Sequence, residues 1–130
     1  MTTSQYLAGL IGVTLIILGP IFIARRAYFA GVFAEIADQD LLRSVAAIFE
    51  LVAGIALVLA HNVWAPFPAA VVTFFGWLMV IEGTAYLVMP NAAVTHMIGI
   101  LNKRALYVPA GVLAVLVGAY LTGFAFGLWA

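Results

Sequence analysis

Four apolar runs, each carrying at most one charged residue, occupy most of this 130-residue chain, at positions 6–24, 44–63, 69–89 and 106–128. A helix needs roughly 20 apolar residues to cross the hydrocarbon core of a bilayer. Each run is long enough to do so. The chain is 67% hydrophobic and only 8% charged, with a mean hydropathy of +1.23. A water-soluble domain of this size needs far more charge to cover its surface. The sequence therefore predicts an all-α membrane protein, one domain over residues 1–130, with four transmembrane helices in an antiparallel bundle. The bilayer is its expected partner. The formal net charge of zero gives no support for a nucleic-acid partner. With no cysteine, thiol–disulfide chemistry and cysteine-ligated metal sites are excluded. Met1 to Gln5 carry no Lys or Arg, and the first run ends in Arg25–Arg26 instead of a small-residue cleavage site. It is read as a retained helix.

The charges orient the spans. All five basic residues (Arg25, Arg26, Arg43, Lys103 and Arg104) lie in or beside the two longer links. The short link 61–68, interrupted by Pro66 and Pro68, has none. The positive-inside rule places residues 27–42 and 91–104 in the cytoplasm, with both termini and the short link outside. Trp64 and Trp129 then fall at the outer edge, and Tyr28 and Tyr107 near the inner one. The two longer links are amphipathic. Phe29, Val32, Phe33 and Ile36 recur at helical spacing in the first, as do Val94, Met97, Ile98 and Leu101 in the second. Each is expected to form a short interfacial helix on the cytoplasmic side.

A shift of 64 residues superimposes the halves of the chain, giving repeats of about 1–64 and about 65–130. Gly12 meets Gly76, Gly19 meets Gly83, Ala47 meets Gly111 and Gly54 meets Gly118. Each span thus carries two small residues seven positions apart. Small residues let helix backbones approach closely, and seven-residue spacing keeps them on one seam. Two spans per repeat return the chain to its starting side, so the repeat is parallel.

Two acids lie inside the spans. Glu50 is seven residues past Arg43, and Glu82 is eight before Pro90. At 1.5 Å per residue both sit roughly 10–12 Å inside the cytoplasmic edge, in one layer of the bundle. Their repeat mates are Ala114 and Leu18, so duplication does not account for them. Two adjacent carboxylates in a low dielectric do not both ionise, which suits a proton relay or a cation site. The competing reading has each Glu bonded locally or reaching Arg43 or Arg104. His61, near the outer edge, is a candidate axial ligand for a haem or chlorophyll, against a plain interfacial role. The sequence contains no phosphate loop, nucleophile triad or metal-spaced cluster. No enzymatic activity, cofactor or metal is expected.

The stretch His61-Asn62-Val63-Trp64, followed by Gly76-Trp77, Glu82-Gly83 and Pro90, resembles a pattern in small uncharacterised four-helix bacterial inner-membrane proteins. It covers about the middle third of the chain. The resemblance implies the bacterial inner membrane and carries no activity with it. Two functions are expected. The first is a structural or accessory subunit that forms a homo-oligomer or joins a larger membrane complex. The second is a small proton- or cation-coupled transporter or channel using Glu50 and Glu82. Acids that face one shared cavity would favour the second.

Overall fold

A computed structural model describes residues 2–128, apart from the Arg104 side chain. These residues form six helices: α1 (Thr3–Ala24), α2 (Arg26–Asp38), α3 (Asp40–Ala60), α4 (Phe67–Val88), α5 (Asn91–Leu101) and α6 (Arg104–Ala125). Four of them, α1, α3, α4 and α6, are long and apolar enough to cross a membrane. The two amphipathic links form α2 and α5. Trp129 lies outside the described residues.

Local chemistry explains the boundaries. Thr2 and Gln5 cap α1 reciprocally. The Thr2 hydroxyl accepts the Gln5 N–H at 3.1 Å, and the Gln5 side chain accepts the Thr2 N–H at 2.9 Å. Arg25 leaves helical geometry at φ −113° and ψ 32°, which separates α2 from α1. An extended Gln39 restarts the chain as α3, with Asp40 favourably placed in its first turn. This helix begins one turn before the apolar run, with Asp40 and Arg43 in its first turn. Pro66 precedes α4 and Pro68 sits in its first turn, where a missing N–H costs nothing. Met89 and Pro90 are both extended and set α5 off from α4. Continuous extension of the preceding helix is thereby broken at both links.

Helix α1 lies along α6, and α3 lies along α4. Contact between α1 and α4 joins the two pairs, and α2 and α5 pack against each other. The small residues are where the backbones meet. On α1 the buried residues are Ala8, Gly12 and Gly19; on α3 they are Ala47 and Gly54. A Cβ added to Gly12 would lie 2.8 Å from the Gly118 carbonyl oxygen, and one on Gly19 would lie 2.7 Å from that of Gly111. In the second pair, a Cβ on Gly54 would stand 3.0 Å from the Gly76 oxygen, and one on Gly83 2.9 Å from that of Ala47. The eight small residues thus meet as four contacts, two per helix pair. Where α1, α4 and α6 converge, Ala8, Val72, Leu121 and Phe124 form the buried apolar core.

The helical glycines of α2 and α5 supply the contrast. A Cβ on Gly31 or Gly99 would have nothing within 4 Å. Alanine relieves the helix of glycine's extra backbone freedom where there is room, and strains it where there is none. We therefore expect Gly54→Ala and Gly83→Ala each to lower stability by about 1–3 kcal/mol. Gly31→Ala and Gly99→Ala should raise it by about 0.5–1 kcal/mol. Thermal unfolding in detergent measures all four.

Candidate functional site

Two groups of polar side chains in the long helices are joined across elements. One lies beside α2 and α5, the other beside the 61–68 link.

Glu50 on α3 and Glu82 on α4 come together at the first place, with their carboxyl groups within hydrogen-bonding reach of each other. Backbone packing accounts for this. A Cβ on Gly83 would stand 2.9 Å from both the Ala47 carbonyl oxygen and the Leu51 amide nitrogen, so the chain beside Glu82 touches the chain beside Glu50. Tyr86, one turn beyond Glu82, donates its hydroxyl to the Glu82 carboxylate at 3.5 Å. Glu50 and Tyr86 are half-buried and Glu82 is exposed. All three line a cavity of about 310 Å³. Phe33 and Ile36 from α2, and Val94 and Ile98 from α5, form its apolar wall. Two carboxyl groups at this range require a proton on one of them to hydrogen-bond.

Arg43 also borders the cavity, and it is engaged elsewhere. It donates to the Ala37 carbonyl at 2.8 Å and pairs with Asp40 at 3.2 Å. It also donates to the side-chain oxygen of Asn91. The guanidinium thus ties the α2–α3 corner to the start of α5. Its charge is matched by Asp40, which leaves the two glutamates without a basic partner of their own among these contacts. A second tie joins the short helices to α6: Asn102 donates to the Ala30 carbonyl at 2.7 Å and accepts the Tyr107 hydroxyl.

His61 organises the other place. It is only 3% exposed, where the sequence suggested an interfacial side chain. Its Nε2 lies 2.7 Å from the Ser4 hydroxyl and its Nδ1 lies 2.9 Å from that of Thr73. The Thr73 hydroxyl donates to the Val63 carbonyl at 2.6 Å and accepts the Val63 N–H at 3.2 Å. Its one proton is therefore used, so Nδ1 donates and Nε2 accepts from Ser4. Both ring nitrogens are occupied by protein groups, whereas an axial ligand needs one free lone pair. The geometry describes a polar rivet between α1, the 61–68 link and α4. The described residues hold no cluster of three or more His, Asp or Glu side chains of metal-binding form, at these places or elsewhere.

Sequence reasoning singled out Glu50, Glu82 and His61 and missed Tyr86, Ser4 and Thr73. The four-residue spacing of Glu82 and Tyr86 was a usable signal, since such side chains share a helix face. Nothing in the periodicity joins His61 to Ser4, which stands 57 positions away.

No family model, curated protein or solved structure matches this chain.

The rivet generates a test. Thr73→Val removes a buried hydroxyl and strands His61 Nδ1 and the Val63 amide, at a cost of about 1–3 kcal/mol. Asn62→Ala removes an exposed 3.4 Å contact from Trp77 and should leave stability nearly unchanged. Thermal unfolding of the two variants should separate them clearly.

Proposed function

We propose that this chain is a non-enzymatic integral membrane protein in which Glu50 and Glu82 form the exchange site of a small proton- or cation-coupled transporter. The observation that carries the reading is the meeting of the two carboxyl groups at one cavity. An ionisable residue inside a span is costly to keep, and a pair of them with no basic partner among the described side chains is costlier. Purely structural acids would be expected to pair with Arg43, which is bound to Asp40, Ala37 and Asn91 instead. The expectation of a structural or accessory subunit draws support only from the small-residue seams, and a transporter needs those seams equally.

The same reading takes the four long helices as an antiparallel bundle built from two parallel repeats. The α1–α6 and α4–α3 pairs are equivalent under the 64-residue shift, and their small-residue contacts correspond one to one. The repeats would be related about an axis passing between α2 and α5. With the basic residues inside, those short helices lie on the cytoplasmic side of a bacterial inner membrane, and the cavity opens near that face. His61 and the termini lie outside.

Reconstitution into liposomes containing a pH-sensitive dye tests the function. Of imposed proton, sodium, potassium and quaternary-ammonium gradients, at least one should drive dye-reported proton movement, and Glu50→Gln or Glu82→Gln should each reduce it by about tenfold or more. Movement no faster than in protein-free liposomes would overturn the transporter reading and leave the accessory-subunit one. Topology is tested separately by single-cysteine labelling in intact cells. A cysteine at Asn62 should react with an impermeant reagent while one at Glu35 stays protected, and the reverse pattern would invert the orientation.

A further inference from the structure

The polar groups lining the cavity come from α3 and α4 alone. Its titratable and charged lining groups are Glu50 and Arg43 from α3 and Glu82 and Tyr86 from α4, while α2 and α5 contribute apolar side chains alone. Arg43 is already paired with Asp40, so among the described side chains the unmatched charge at the site is that of the glutamate pair. Once its shared proton leaves, the pair takes a cation.

The lining decides which kind. A bare calcium or magnesium ion needs six or more oxygen ligands, or a retained water shell. Two carboxyl groups and one phenol supply too few, and a hydrated ion would press its waters against Phe33, Ile36, Val94 and Ile98. An organic ammonium has the complementary form. Its single charge is diffuse, it is weakly hydrated, and its carbon body replaces water along an apolar wall. The volume of about 310 Å³ lies at the lower end of the range for small-molecule sites. Phe33 and Tyr86 add aromatic surface to which an ammonium group is drawn.

From this lining we infer that the Glu50–Glu82 cavity binds a small lipophilic ammonium cation in exchange for a proton. The inference rests on the exchange-site reading above and names its substrate class. No bond is made or broken. One proton leaves the carboxyl pair as one monovalent cation enters, so the net charge of the site is conserved. Cation and proton compete, and affinity rises as pH rises.

Isothermal titration calorimetry of the full chain in detergent, with benzyltrimethylammonium as probe, provides the test. This probe cannot lose its charge or donate an N–H. The expected result is saturable binding with proton release, tighter at alkaline than at acidic pH. Glu82→Gln, at an exposed position tolerant of the change, should weaken it by about tenfold, as should Glu50→Gln. Ile98→Trp, which fills the apolar end, should weaken it without altering the pH trend. Sodium and magnesium chloride should give no saturable heat. Binding that ignores both glutamine variants would overturn the inference. So would absence of ammonium binding while liposomes still show glutamate-dependent proton movement, and in that case the exchange site stands and only its ligand class fails. Loss of both signals defeats the exchange site itself.

Discussion

Close backbone approach is the constraint on which the rest of this structure depends. In hydrocarbon, one apolar side chain gains little by leaving lipid for another, so helices associate through dispersion contact and short-range polar attraction. Both require the axes to come near. The buried residues of α1 are Ala8, Gly12 and Gly19, and those of α3 are Ala47 and Gly54. This reverses the soluble pattern, in which large apolar residues are buried and small ones fill gaps. Here Leu10, Ile17, Phe49 and Leu59 are exposed, as lipid-facing side chains would be. Thr122 shows how tight the seam is. Its hydroxyl is buried without a hydrogen-bond partner and stands 2.7 Å from where a Gly12 Cβ would be.

A chain that spends many of its buried positions on glycine and alanine has few places for polar groups, and the clusters it does form are of two kinds. His61, Ser4, Thr73 and the Val63 backbone satisfy one another completely. Arg43 is engaged at the opposite end, with three hydrogen bonds to partners on α2, α3 and α5. Such groups hold elements in place. Glu50, Glu82 and Tyr86 differ: they bond among themselves and still face open volume. In a low-dielectric setting that difference separates a rivet from a site, because unfilled capacity is costly unless something else uses it.

What the sequence disclosed follows the same division. The long helices were legible because length and the absence of charge suffice to recognise a span. Their ends moved by a few residues where caps decide, as at Asp40 and Pro68. That Glu50 and Glu82 share one level was legible too, since Arg43 and Pro90 give a common reference from which to count, and both line one cavity. Which helix faces which was not. Seven-residue spacing shows that Gly54 lies on a seam, but it cannot select Gly76 over Gly111 as the opposite wall. His61 failed for a related reason. A histidine after the last turn of a helix looks exposed until another part of the chain is known to cover it.

The location of the acids follows from the seam itself. Gly83 touches Ala47 and Leu51 so closely that the positions beside them on the two helices are brought together. Residues 82 and 50 occupy those positions. Side chains placed there must meet or splay around each other, whatever their chemistry. The other helix pair makes the comparison: a Cβ on Gly19 would stand 2.7 Å from the Gly111 carbonyl and 3.5 Å from the Ala114 side chain. On the proposed two-repeat reading, Leu18 and Ala114 hold the places that Glu82 and Glu50 hold in the other pair. One pair therefore joins α1 to α6 through apolar contact at this depth, while its counterpart joins α3 to α4 with two carboxyl groups and a cavity. The backbone that packs the helices also sets the distance between the acids. Converting a structural seam into an exchange site then requires only that two neighbouring side chains become acidic and that the wall opposite them stay open.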